Sequence, residues 1–365
     1  MKLKAIGFAV VAAIATASAV AADLTLVGDS ATIWNTAVQC WTNSAGASVK
    51  FQDGDNVLIS SDYFTGPSLT IATKLNPGNV VVDIDRTLIL GWDNNSQHGL
   101  WTDTGSFTKR GTGTLLLQKL ASTAGQNMMT CGVDIVEGEI ACVDRNVYNF
   151  LGSRTTPYWV HVHPGASLTF LQGNQTGAAD VSDGICGIKI QLDAGARLNH
   201  CTNFTASGSG INSCLNVNTL KLCGGDIVNG AYAFQDKIDL LGGHRCMAKI
   251  FNTLWFSGDT PHAFGFPDNA YPGYKHYSMD GTLNRCLVSL NPNAPVEIRV
   301  DDIDGGDGVD AYMNWLAFTW GQNASGAYRC DLVKTGAGTL VFPSNDVARV
   351  FNGDFTVKEG RVELL

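Results

Sequence analysis

KTGAGTLVF, residues 334–342, has an earlier counterpart in the same chain, KRGTGTLLL at 109–117. Lys109, Gly111, Gly113, Thr114 and Leu115 recur as Lys334, Gly336, Gly338, Thr339 and Leu340. Closely spaced glycines serve either a loop that cradles phosphate or a bend between stacked strands. A phosphate loop of the G-x-x-x-x-G-K-[ST] kind needs its lysine behind the second glycine and a helix N-terminus to receive the anion. Here the lysine comes first and a strand-like apolar run follows, so the motif reads as a structural turn. The likeness extends further: VDIVEGEIAC (133–142) parallels FTVKEGRVEL (355–364), in each case strand, Glu-Gly turn, strand. Structural turns are therefore expected at Gly111, Gly113, Gly138, Gly336, Gly338 and Gly360, where a missing Cβ permits a sharp reversal. Cys142 aligns with Leu364 at an inward apolar position, which predicts a buried thiol.

Outward from this pair, apolar runs are short and regularly interrupted: LTLVGDS, VLISSD, VVVDIDRTLILGW and TGTLLLQ. Each is of strand length, several alternate with period two, and Gly, Asn, Asp or Pro marks the joins. Amphipathic helical spacing is not sustained, so the fold class is all-β. VHVHPGASL (160–168) and IQLDAGARL (190–198) share a strand, a Gly-Ala turn and a leucine at an offset of 30, the scale of one solenoid coil. Short strands with frequent turns would also suit a β-sandwich.

These residues resemble the autotransporter-associated β-strand repeat, whose pattern is K-x-G-x-G-T-L-x-L, a variable stretch, then V-x-x-G-x-L-x-L. Residues 332–364 match it best, and 107–142 match with a longer connection. Trp34, Trp41 and FQDGDNVLIS are similar to the Trp-rich leader of such proteins. The resemblance implies a right-handed parallel β-helix (β-solenoid), exported and often displayed at the outer cell surface, and a scaffold or adhesin role. The expected organisation is a signal peptide over 1–22, a Trp-containing cap with the first coils over 23–105, and a solenoid over 106–365 with a loop-rich insertion near 254–315. The chain departs from the family in having no run of amphipathic strands long enough for a membrane barrel.

The N-terminal MKLKAIGFAVVAAIATASAVAAD has the lysines, apolar stretch and small-residue cleavage pattern of a secretory signal. It predicts export, to the extracellular space, the outer surface or the periplasm. The acidic balance, 33 Asp plus Glu against 24 Lys plus Arg, offers no basic stripe and argues against nucleic acid as a partner. Ten cysteines, an even number, permit disulfides in an exported chain, and buried free thiols are the alternative. No C-x-x-C pair is present to suggest a zinc ribbon or redox dithiol.

Four stretches carry candidate chemistry. GGDGVDAYM (305–313) fits one copy of the calcium nonapeptide, with Asp302, Asp304, Asp307 and Asp310 as candidate oxygens; an acidic solvated loop is the alternative, and no other cofactor is implied. LWFSGDTPHAFGFPDNAYPGYKHYSM (254–279) concentrates Trp255, Tyr271, Tyr274 and Tyr277, a candidate platform for carbohydrate or another cell-surface molecule. In VVVDIDRTLIL an extended strand would point Asp83 and Asp85 the same way beside Arg86, as in a polysaccharide lyase. His161 and His163 share a strand face with metal-binding potential, but the sequence supplies no third ligand nearby. Three functions follow as expectations: a non-enzymatic scaffold or adhesin, a polysaccharide lyase or hydrolase, or a self-associating subunit of an extracellular layer.

Overall fold

The computed structural model describes residues 21–29, 33–92, 99–100, 105–119, 129–142, 151, 158–170, 188–200, 214–229, 247–264, 266, 270–277, 279–280, 284–285, 287–290, 295–314, 318–319, 331–343 and 353–365. Those residues form strands and turns and no helix. Most of the expected signal segment, residues 1–20, lies outside them.

The chain alternates between two long faces. The first face stacks, in sequence order, strands Asn56–Ser60, Asn79–Asp83, Ser106–Arg110, Gly132–Ile135, Tyr158–Val162, Ile188–Asp193, Cys214–Cys223, Met247–Phe256, Val296–Val300, Leu332–Thr335 and Phe355–Val357, each parallel to the next. The second face stacks the strand that follows each turn, from Ser68–Ile71 through Leu88–Trp92, Thr114–Lys119, Glu139–Cys142, Ser167–Phe170 and Arg197–His200 to Asp226–Asn229. A further parallel sheet adds His262–Phe264, Ala311–Met313, Thr339–Phe342 and Arg361–Leu364. Long parallel sheets fed alternately by one chain are solenoid-like. The two sequence segments offset by 30 are neighbouring coils, with Val160 opposite Ile190 and Leu168 opposite Leu198.

Alternation produces this core directly. IKIQLD at 188–193 is alternately buried and half-buried, and NVVVD at 79–83 follows the same rule. Inward Val, Ile and Leu fill a narrow interior, each contributing roughly 1.5–3 kcal/mol on burial, and the main-chain hydrogen bonds pass to the coils above and below. The hydrogen bonding also runs through the bends: Gly113 donates to Ile84 (2.8 Å), Glu139 to Gly113 (3.2 Å), Ser167 to Gly138 (2.8 Å) and Arg197 to Ala166 (2.9 Å).

At the N-terminal end, Asp23–Leu26 pairs parallel with Asn56–Ser60 but antiparallel with Trp41–Asn43, which turns back to Ser48–Val49. Trp34, Trp41 and Phe51 pack there with centroids 5.2–6.4 Å apart, all fully buried. The Gly-Asp turn before Asn56 is held by the buried Asp55 carboxylate, which accepts the Ala22 and Gln52 amides at 2.9 Å.

The expected insertion near 254–315 is less of a loop than its composition suggests. Leu254 and Trp255 belong to a long strand of the first face, Val296–Val300 is the next strand of that face, and His262–Phe264 and Ala311–Met313 belong to the further sheet. Within it Lys275–Tyr277 pairs with His262–Phe264, and its Lys275 ammonium meets the Asp226 carboxylate at the end of the second face. Disulfides, permitted by the cysteine count, are absent among the described cysteines: Cys40, Cys131, Cys142 and Cys223 are free thiols, with Cys131 and Cys142 buried.

Candidate functional site

The repeated glycines bend the chain between the two faces, and the lysine ahead of them has a defined part. Lys109 and Lys334 are fully buried. Lys109 Nζ donates to the carbonyls of Arg110 (2.5 Å), Gly111 (2.6 Å) and Glu137 (3.3 Å). Lys334 Nζ repeats this with Thr335 (2.7 Å), Gly336 (2.7 Å) and Glu359 (3.2 Å). Each ammonium thus ties its own bend to the bend of the next coil. Burial lowers both lysines to about 8, against the opposing pull of Asp83, Glu137 and Glu139 around the first and of Asp310, Glu359 and Asp301 around the second. The ammonium groups face backbone oxygens of their own scaffold and take no part in an open site.

The candidate aromatic platform divides on inspection. Trp255 sits between its register neighbours Lys221 and Arg299, whose cationic groups lie 4.2 and 4.3 Å from its ring centroid, and its Nε1 donates to Asp301 (2.8 Å). Both ring faces are engaged, which leaves none for a sugar. Tyr277 is buried at 2% exposure, with its ring stacked on His262 at 5.8 Å. Its hydroxyl lies 3.3 Å from His262 Nδ1, while His262 Nε2 lies 2.8 Å from the Ser257 carbonyl. Burial lowers His262 to about 4, despite that carbonyl bond, so the ring is neutral, with its Nε2–H donating to Ser257 and Nδ1 accepting from Tyr277. These two aromatics belong to the scaffold.

Tyr271 and Tyr274 differ from them. Both are half-buried, and with Tyr312 they form a three-ring cluster: Tyr271 and Tyr312 stack at 3.9 Å with planes 12° apart, and Tyr274 lies 5.1 Å from Tyr312. Tyr274 donates to the Val309 carbonyl (2.8 Å), and the Tyr271 amide donates to His276 Nε2 (3.2 Å). Burial and the neighbouring Tyr312 raise both phenols, so they remain neutral donors. Tyr312, from the strand Ala311–Met313, was missed because its partners lie about forty residues away in sequence; the only signal was a tyrosine at the end of the calcium-like nonapeptide.

The acidic turn is organised by Asp310, which is buried at 1% exposure. Its carboxylate accepts the amides of Ile303 (2.6 Å) and Thr339 (2.7 Å), anchoring the turn to the next coil. Asp302 and Asp304 accept the amides of Gly305 (2.8 Å) and Gly306 (2.9 Å). Oxygens of Asp302, Asp304 and Asp310 gather within 4.8 Å, and Asp307 is not part of that group. Several of the oxygens that a calcium ion would need already accept backbone amides.

The strand ends at Asp83, and Asp85 lies exposed in the following bend with Ile84 buried between them. Arg86 is turned onto the backbone, donating to Phe64 (2.6 Å) and Thr87 (3.3 Å) carbonyls. An arginine held this way clamps the turn. Set against protein-family models, curated proteins and solved structures, the chain matches none.

Proposed function

We propose that this chain is an exported, non-enzymatic scaffold of the adhesin type, a right-handed β-helix that recognises a glycan or another surface molecule through Tyr271, Tyr274 and Tyr312. The observation that supports this reading is the tyrosine cluster itself: three half-buried rings, one pair stacked at 3.9 Å, with Tyr312 on the strand Ala311–Met313 and Tyr271 and Tyr274 in the turn that leads into Lys275–Tyr277. The ring faces outside the Tyr271–Tyr312 stack give flat apolar area at low entropic cost, which suits a sugar ring. The scaffold reading is preferred to a lyase because the Arg86 guanidinium is engaged by the Phe64 and Thr87 carbonyls.

The test is incubation of the purified protein with a panel of acidic and neutral polysaccharides, read for both binding and depolymerisation. Binding without product, lost on Tyr274→Ala with the fold intact by circular dichroism, is expected. Release of oligosaccharide, or binding unchanged in a Tyr271→Ala/Tyr274→Ala double variant, would overturn the proposal.

A further inference from the structure

The histidine pair on the first face gains from its neighbours what the sequence alone did not offer. In Tyr158–Val162 and the residue after it, His161 and His163 stand two apart on one face, with ring centroids 3.8 Å apart. The register sets Asp134 of the preceding coil opposite His161, and Gln191 of the following coil on its other side. Asp134 Oδ1 lies 3.5 Å from His161 Nδ1 and 3.3 Å from His163 Nε2. Four ligands at zinc–ligand bonds of roughly 2.0–2.1 Å would lie roughly 3.3 Å apart around a tetrahedron, so these contacts have the spacing of ligands sharing one ion.

The opposite edge of His161 supplies an independent feature. Its Nε2 lies 2.7 Å from Asp193 Oδ2, and Gln191 holds the other oxygen of that carboxylate at 2.9 Å. Gln191 Nε2 also lies 3.1 Å from His161 Nε2, and in the tautomer whose Nε2–H donates to Asp193 the Nδ1 lone pair is left on the side of Asp134. A carboxylate behind a histidine is the usual device for orienting a metal-binding imidazole and raising its basicity. His163 Nδ1 lies 3.9 Å from the Asp193 carboxylate, a looser contact.

We infer that Asp134 Oδ1, His161 Nδ1 and His163 Nε2 form a binding site for a divalent transition metal of the zinc class, with Asp193 as the positioning carboxylate. Two imidazoles and a carboxylate suit zinc rather than calcium, which prefers oxygen alone. The side chains are between 24% and 46% exposed, so an ion can enter from solvent and retain a position for water or an external ligand. The three ligands come from two adjacent coils of a hydrogen-bonded sheet, which holds them in place before the ion arrives.

The full-length protein, stripped with chelator, is titrated with zinc against a chromogenic competitor and, separately, with cobalt(II) while the visible spectrum is recorded. One zinc per chain and intense tetrahedral cobalt bands are expected. Affinity should fall at least about tenfold in Asp134→Asn and in His163→Ala, and about 10–100-fold in Asp193→Asn, which removes no ligand. Zinc uptake that is the same in wild type and in the His161→Ala/His163→Ala double variant would overturn the site. So would wild-type protein whose cobalt spectrum remains that of the hydrated ion, a result that needs no variant to fold.

Discussion

The repeated lysine is the most consequential single residue in this fold. An ammonium buried among three carbonyls resembles a helix C-cap, in which a cation satisfies acceptors that no amide reaches, but here it spans two coils. The glycine of the following turn has its own reason: φ is +69° at Gly138 and at Gly360, and an added Cβ would lie 2.4 Å from the carbonyl oxygen of Gly111 or Gly338 in the preceding bend, closer than the lysine Nζ. Lys334→Met leaves the carbonyls around Nζ without their donor, and a loss of about 2–4 kcal/mol is expected in urea unfolding at neutral pH. The pH dependence has a definite sign. The folded lysines titrate at about 8 and the unfolded ones at the ordinary 10.5, so the unfolded state binds more protons between these values. The stability of wild type relative to a Lys109→Met/Lys334→Met variant should thus rise from pH 8 to 10.5 and stay flat below 8. A gap that shrinks over that window would contradict the assignment.

Among the elements, the bends between faces are set by how closely coils approach. Gly338 has an ordinary backbone conformation, yet a Cβ there would lie 2.3 Å from the Asp301 carbonyl oxygen of the preceding coil. Gly165 is the converse, with φ at +82° and nothing within 4 Å of an added Cβ. Gly165→Ala should lose about 1–2 kcal/mol, the cost of a left-handed residue, whereas Gly338→Ala should lose about 3 kcal/mol or more, because a backbone carbonyl cannot move aside. Comparing denaturation midpoints at constant slope checks this, and equal losses would show that conformation rather than stacking distance selects these glycines. Polar ladders on the outside follow the same register: Glu297 accepts from Thr253 (2.8 Å) below it and Thr335 (2.5 Å) above it. Such pairs contribute a few tenths to about 1 kcal/mol each, well below what the inward residues supply.

For the whole molecule, the stacked coils keep their interior shut. Burial pushes the Cys131 thiol up to about 12 and the Cys142 thiol higher still, so neither supplies thiolate at neutral pH. Peptide-resolved alkylation should leave Cys131 and Cys142 unmodified in the native protein and label both in urea, with the half-buried Cys40 and Cys223 labelled earlier. Native labelling of Cys142 at the rate of Cys40 would show that the coils open on the timescale of the reagent. The antiparallel hairpin at the N-terminal end caps a sheet edge that would otherwise present free main-chain groups.

Period-two alternation, glycine punctuation and the twin motifs determined an all-β chain of stacked short strands, because those signals are local: each inward Val or Leu and each turn glycine is set within a few residues. The equivalence of 160–168 and 190–198 was legible for the same reason. What only the tertiary structure decided is which side chains of different coils meet. Register brought Lys221 and Arg299 onto the faces of Trp255, Tyr312 onto Tyr271, and Asp134 and Asp193 to the histidine pair. Coil lengths vary, with Leu220 opposite Leu254 but Leu254 opposite Ile298, so no fixed period in the sequence predicts those meetings. Function on a solenoid lies in such contacts between coils, and they are fixed by the main-chain ladder rather than by any one segment of sequence.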